Sequence, residues 1–132
     1  MSDTAVHIGE LARRTGVSAR SLRYYEQRGL LRSQRSEAGW RIYDQRVVTR
    51  VRNVRRLLGV GLTVDDILEL EHCLDADDLV QCDRPDDAVE LHRTRLEAIE
   101  ERIAALEQQR TGLQCRIDQL RALHDAANGG AQ

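Results

Sequence analysis

Phenylalanine is missing from this 132-residue chain and aromatic residues make up only 3% of it, so any globular core is small and aliphatic. Lysine is missing too: all 20 basic residues are arginine, a trait of genome composition more than of chemistry. No apolar run approaches the roughly 18 residues that span a bilayer, so no membrane helix is expected. The opening Met1-Ser2-Asp3-Thr4 has neither the basic nor the apolar region of a secretion signal, and a cytoplasmic protein is expected. There is no Gly-rich phosphate loop, no Ser-His-Asp arrangement and no pair of buried carboxylates, so nothing points to an enzyme. Cysteine is sparse. In a reducing compartment Cys73, Cys82 and Cys115 read as thiols or metal ligands rather than as a structural disulfide.

What is present is charge, unevenly laid out. Residues 1–60 hold 13 Arg against 5 acids, net +8, while residues 61–132 hold 7 Arg against 17 acids, net −10. The overall net charge of −2 hides this polarity. A basic half that also carries Tyr, Ser and Trp is the electrostatic footprint of a DNA-reading surface, whereas a duplex would repel the acidic half. Double-stranded DNA is therefore the leading partner.

Within the basic half, His7 to Gly16 reads as a short helix that buries Ile8, Leu11 and Ala12 and stops at Gly16. Ser18 is a good N-cap for a second helix, with Leu22 and Tyr25 on its apolar face and Gly29 at its end. Two helices around a Gly-containing turn have helix-turn-helix spacing. Residues 32–43 read as a hairpin, with Gly39 among alternating Arg, aromatic and aliphatic positions. A third helix over about 45–58 turns Val47, Val51, Val54 and Leu58 inward. A fourth runs from an N-cap at Thr63 to about Leu74, with Asp65 and Asp66 favouring its dipole.

The acidic half opens with a connector, 75–88, that holds the only proline, Pro85. From residue 89 the period changes. Val89, His92, Leu96, Ile99, Ile103, Leu106, Arg110, Leu113, Ile117, Leu120 and His124 step by 3 and 4, which is the a/d seam of a coiled coil. A helix over 89–124 is roughly 54 Å long. An exposed seam needs a partner, so a homodimer is expected, held by Leu96, Ile99, Ile103, Leu106, Leu113, Ile117 and Leu120. The polar members His92, Arg110 and His124 cost stability but fix register. The predicted organisation is a domain over 1–74, a connector over 75–88, a coil helix over 89–126 and a disordered tail over 127–132.

Six segments in order carry a more specific signal: Ile8-Gly9-Glu10-Leu11-Ala12, Thr15-Gly16-Val17-Ser18, Leu22-Arg23-Tyr24-Tyr25-Glu26, Gly29-Leu30-Leu31, Gly39-Trp40-Arg41-Ile42-Tyr43 and Gly61-Leu62-Thr63-Val64-Asp65-Asp66-Ile67. Residues 8–70 on this basis closely resemble the DNA-binding domain of the mercury-resistance-type (MerR) family of bacterial transcriptional regulators. The seam at 89–124 resembles that family's long antiparallel dimerisation helix. Trp40 stands where the family usually has Tyr. The resemblance implies a mostly α fold: a winged helix-turn-helix DNA-binding domain followed by a long antiparallel coiled-coil dimerisation helix. It also implies a dimer that bends and untwists an over-long promoter spacer in response to an effector, so that RNA polymerase engages both promoter elements.

By the same resemblance, Ser18, Arg20, Ser21 and Tyr24 line the groove-facing side of the recognition helix. Arg35, Trp40, Arg41 and Tyr43 form the wing, and Arg52 and Arg55 add phosphate contacts. Arg23 reads equally as a phosphate contact or as a partner of Glu26 or Glu10, and Trp40 as a wing contact or as hairpin packing. Arg13 and Arg14 read as a solvated face.

Metal-sensing relatives place a Cys at the start of the dimerisation helix and a Cys pair after its end. Here Cys82 is near the first place, but no thiol follows Cys115, so the distal loop is missing. Cys115 falls on the outward side of the heptad. Cys73 and Cys82, with His72 and several Asp nearby, form the candidate effector site. They suit a soft divalent metal or oxidation to a disulfide; alternatively Cys73 is a small buried apolar residue. The separate C-terminal ligand domain of drug-sensing relatives is not expected. The competing class is a coiled-coil interaction protein whose winged-helix end docks an acidic partner protein. The Ser18/Arg20/Tyr24 and Trp40-Arg41 constellation is not something that docking role requires.

Overall fold

The computed structural model describes residues 5–76 and 85–129. The elements are β1 (Ala5–His7), α1 (Ile8–Thr15), α2 (Ala19–Gln27), β2 (Gln34–Arg35), β3 (Arg41–Asp44), α3 (Val47–Gly59), α4 (Val64–Glu69), a 3-10 turn (Glu71–Cys73) and α5 (Pro85–Gly129). The helix-turn-helix, the wing hairpin and the long final helix fall where the sequence places them.

Strand β1 is the element that sequence reading missed. It pairs antiparallel with β3, Val6 opposite Tyr43, giving a three-stranded sheet of order β1-β3-β2. Both residues of that pair are buried, so a cross-strand contact closes the sheet over the helices. The core is aliphatic as expected, built on Leu11, Leu22, Leu30, Leu31, Val51, Val54, Ile67 and Leu74, with Tyr25 and Tyr43 as its aromatic members.

The inward face of α3 differs from the expectation by one position at each end. Val48 and Leu57 are buried with Val51 and Val54, while Val47 and Leu58 only flank the core. The fourth helix also breaks earlier than Leu74. Thr63 and Asp66 form a reciprocal capping box at its start, but α4 ends at Glu69 and the chain tightens into the 3-10 turn. That tightening brings Leu70, Cys73 and Leu74 to the core together.

Four polar side chains of α3 satisfy main-chain carbonyls of other segments. Arg52 Nη2 donates to the Arg14 carbonyl at 3.2 Å, and Arg55 Nη1 donates to that of Thr15 at 2.7 Å. These are the open carbonyls at the end of α1. Arg50 Nε donates to the Leu30 carbonyl at 2.5 Å, and its Nη atoms pair with Asp75 and Glu71. Asn53, only 2% exposed, donates to the carbonyls of Leu74 and Ala76, both at 2.8 Å. Gly16 closes α1 with φ +74°, and a Cβ there would collide with the Arg55 guanidinium.

Helix α5 starts at Pro85, inside the expected connector, and continues through Gly129, past the expected coil end at 126. Proline suits a first helical position, and Asp86 and Asp87 in the first turn favour the dipole. Residues up to His92 form one unit and residues from Arg93 a second. In the first, Ala88 and Leu91 pack on the core. In the second, Leu96, Ile99, Ile103, Leu106, Leu113, Ile117 and Leu120 are all exposed, from 37% at Ile99 to 66% at Leu113. Connector residues 77–84, Cys82 among them, and the tail over 130–132 lie outside the described residues. No helix among the described residues is long and apolar enough to cross a membrane.

Asn53→Ala removes two hydrogen bonds and leaves buried carbonyls without donors. It is expected to lower stability by about 2 kcal/mol, read from urea melts of the two proteins. An unchanged midpoint would show that the Asn53 amide carries no net stability.

Candidate nucleic-acid interface

Ser18 caps α2: its hydroxyl accepts from the Ser21 backbone N–H at 3.1 Å and lies 3.0 Å from the Ser21 hydroxyl. This cap fixes where the helix begins, and so which of its residues face solvent. Leu22 and Tyr25 turn to the core, while Arg20, Arg23 and Tyr24 stay exposed, Tyr24 by 44%.

The wing is a tight turn. Ser36 and Trp40 exchange hydrogen bonds, and Gly39, at φ +84°, occupies the left-handed position the turn needs. Arg35 Nη1 donates to the Gly39 carbonyl at 3.1 Å and stiffens the tip. Trp40 remains 66% exposed, so packing the hairpin onto the helices is not its main role.

Recognition helix and wing meet through Arg41, whose Nε lies 3.4 Å from a Glu26 carboxylate oxygen. Two adjoining surface grooves share Arg23 and Arg41. One is completed by His7, Ile8, Arg35, Gly39 and Trp40, the other by Arg20, Tyr24, Glu26 and Gln27. Arg20, Arg23, Arg35 and Arg41 thus line a continuous basic face carrying two exposed rings. Of the two readings of Arg23, pairing is not what the structure places there: Glu26 faces Arg41, and Glu10 is taken by Arg13 and Arg14. Arg13 and Arg14 are exposed beside Glu10.

One expected contact is placed differently. Tyr43 is 1% exposed, its ring in the core opposite Val6, so it supports the wing from below and cannot reach a ligand. The reason is strand alternation: Tyr43 falls on the face of β3 that looks into the core, where β3 packs against α1 and α3. Arg52 and Arg55 are exposed, and each also donates one guanidinium nitrogen to a carbonyl at the end of α1, as Arg35 does to Gly39. Reasoning from sequence also missed Arg28, which links Tyr24 to Asp65 of α4. The Tyr24 hydroxyl, followed by Asp65, raises the pKa of Arg28. The i,i+4 spacing of Tyr24 and Arg28 is the one signal that could have found that contact.

Against the expectation of thiols or metal ligands, Cys73 is disulfide-bonded and buried, while Cys115 is a free, exposed thiol.

Comparison with known proteins agrees with this architecture. The family model described as MerR HTH family regulatory protein matches residues 6–72. The HTH-type transcriptional regulator HmrR of Rhizobium leguminosarum bv. viciae is 31% identical over 109 residues, 83% of this chain and 81% of the relative. The HTH-type transcriptional regulator CueR of Salmonella typhimurium is 30% identical over 125 residues, 94% of this chain and 83% of the relative. The mercuric resistance operon regulatory protein of Bacillus cereus is 39% identical over 72 residues, 54% of either chain, so this chain spans about half of that relative's length. A crystal structure of HiNmlR, a MerR family regulator lacking the sensor domain and bound to promoter DNA, shares the fold. Its TM-score is 0.55 at 23% identity, covering 79% of this chain and 76% of that one. The chain belongs to the MerR HTH family of regulatory proteins. Its relatives are transcriptional regulators, and enzymatic activity is not the family's business.

Burial raises the Tyr43 phenol pKa above its ordinary value, with Glu26 adding to the rise and Arg41 and Arg23 opposing it. Its hydroxyl has no hydrogen-bond partner among the described residues. The unfolded phenol ionises above about pH 10, while the folded one stays protonated longer. Stability is therefore full below that pH and falls as pH rises through it. Tyr43→Phe is expected to hold or raise stability at neutral pH, by up to about 1 kcal/mol. It should also reduce the alkaline loss seen in denaturant melts at rising pH. A strongly destabilised variant would mean the hydroxyl is satisfied after all.

Proposed function

We propose that this chain is a homodimeric transcriptional regulator that grips a promoter duplex with the face formed by α2 and the wing, and distorts the spacer in response to an effector. The observation that carries the reading is the continuous face of Arg20, Arg23, Arg35 and Arg41 with the exposed rings of Tyr24 and Trp40. Guanidinium groups on such a surface neutralise phosphates, and the cap-fixed helix offers Ser18, Arg20 and Ser21 to a groove. The exposed seam of α5 supports antiparallel pairing with a second copy, which sets two such faces on one duplex. Bending the spacer would then align the promoter for RNA polymerase in the cytoplasm. An acidic protein partner would satisfy the charges, yet it gives no use for a capped helix beside an aromatic wing.

Thiol oxidation through Cys73 and Cys82 is the effector reading we favour, because Cys73 is held as a disulfide. Forming that bond passes two electrons and two protons to an oxidant and ties Cys73, just ahead of the connector, to Cys82 within it. A soft divalent metal on the reduced pair, with His72, is the second reading. It is supported by a relative named for mercuric resistance and requires both thiolates. As a disulfide, Cys73 cannot supply one.

Binding is tested with the duplex that this protein enriches from a random library. Arg20→Ala should weaken affinity and lower the slope of log affinity against log salt by about one; an affinity unmoved at every salt concentration sinks the assignment.

Native mass spectrometry tests assembly and effector together. A dimer is expected, with each oxidised protomer lighter by a pair of hydrogens and Cys73→Ser abolishing that difference. A monomer would overturn the pairing. Metal retained by the reduced dimer but lost in Cys82→Ser would favour the second effector reading.

A further inference from the structure

Tyr24 is exposed on α2, but its ring is held. Arg28, one helical turn on, donates from Nη1 to the Tyr24 hydroxyl at 2.9 Å, with its guanidinium carbon 5.9 Å from the ring centroid. The same guanidinium donates through Nη2 to Asp65 in the first turn of α4. The Tyr25 ring lies 6.3 Å from that of Tyr24, centroid to centroid, and is itself anchored in the core. Two consequences follow from this chain of contacts. A phenol oxygen that accepts a charged hydrogen bond has its own O–H polarised and turned elsewhere. A guanidinium divided between a phenol and a carboxylate has less claim on a phosphate than Arg20 or Arg23, which form no ion pair among the described residues.

We propose that Arg28, anchored by Asp65, is a positioning residue: it fixes the Tyr24 ring and aims the phenolic hydrogen as a donor to a backbone phosphate of the bound duplex. The inference rests on the duplex-binding reading of this face. It makes the start of α4 part of the interface without a contact of its own, and it assigns work to Arg28, which lies outside the family-like segments.

The test measures affinity for the selected duplex against salt in wild type, Arg28→Met, Tyr24→Phe and the double variant. Methionine keeps the length of the stem and removes the donors. Arg28→Met and Tyr24→Phe should each weaken binding about 5- to 20-fold. The salt slope should stay unchanged, because no phosphate-neutralising cation is lost. The double variant should be no weaker than Tyr24→Phe alone. A slope lowered by about one in Arg28→Met would make Arg28 a phosphate contact and overturn the proposal. So would a loss that persists undiminished in the Tyr24→Phe background, or no loss at all. Asp65→Asn gives a second handle: weakening like that of Arg28→Met supports the anchor, whereas tighter binding with a steeper slope overturns it. If wild type enriches no duplex, the duplex-binding reading fails before any variant is made, and this inference with it.

Discussion

The domain depends on one device: helix α3 sends polar side chains out to carbonyls that no helix or strand satisfies. A core without Phe leaves chain reversals near its margin; of these bonds, that from Asn53 to the Leu74 carbonyl is buried, where an unpaired carbonyl costs about 1–3 kcal/mol. Arg52 and Arg55 close the end of α1, Arg50 holds the turn after α2 at Leu30, and Asn53 holds the exit of the domain at Leu74 and Ala76. Four donors on one helix therefore fix three separate segments. Their position on the helix follows from its period: Val48, Val51 and Val54 turn into the core, and the polar residues between them are left at its margins, within reach of neighbouring turns. Arginine suits this work because its long stem lies along apolar surface while its fork reaches several acceptors.

That framework ties the basic face to the core. The end of α1 is fixed from α3, the turn Gly16–Ser18 is short, and the Ser18 cap sets the rotation of α2. The wing is held to the same frame by β3, whose Tyr43 is buried against Val6 and whose Arg41 faces Glu26. Positive groups on this face are thus presented by elements locked from behind, which lowers the ordering cost of binding a stiff polyanion. The acid lining these grooves, Glu26, is paired with Arg41.

Much of this was legible in the sequence because the signals are local. Ser18, Gly16, Thr63 and Asp66 act within a helical turn, and the periodicity of Leu11, Leu22, Tyr25, Val51 and Ile67 is read without knowing any partner. What escaped was non-local. Strand β1 is three residues long and exists because β3, far along the chain, offers it an edge. Tyr43, a wing contact by resemblance, is buried because its side of β3 faces the helical core, again a long-range packing fact. Asn53 is a polar residue in an apolar helix, and its reason, two carbonyls more than 20 positions away, has no trace in local pattern. The interior face of α3 was misjudged at its ends because Val47 and Val48, and Leu57 and Leu58, are adjacent apolar pairs between which periodicity alone does not choose.

The long helix poses the opposite problem: its pattern is legible but its single chain leaves the pattern unused. From Arg93 to Gly129 no residue is buried, although Leu96, Ile99, Ile103, Leu106, Leu113, Ile117 and Leu120 form one stripe. Covering a half-exposed aliphatic side chain stabilises by about 1 kcal/mol, so the stripe as a whole is worth several kcal/mol to any partner that matches it. A second copy matches it by construction, and the polar seam members His92, Arg110 and His124 then limit which registers are tolerated. The charge layout points the same way. The acids of the second half make that stripe a poor surface for a polyanion, whereas the arginines of the first half attract one.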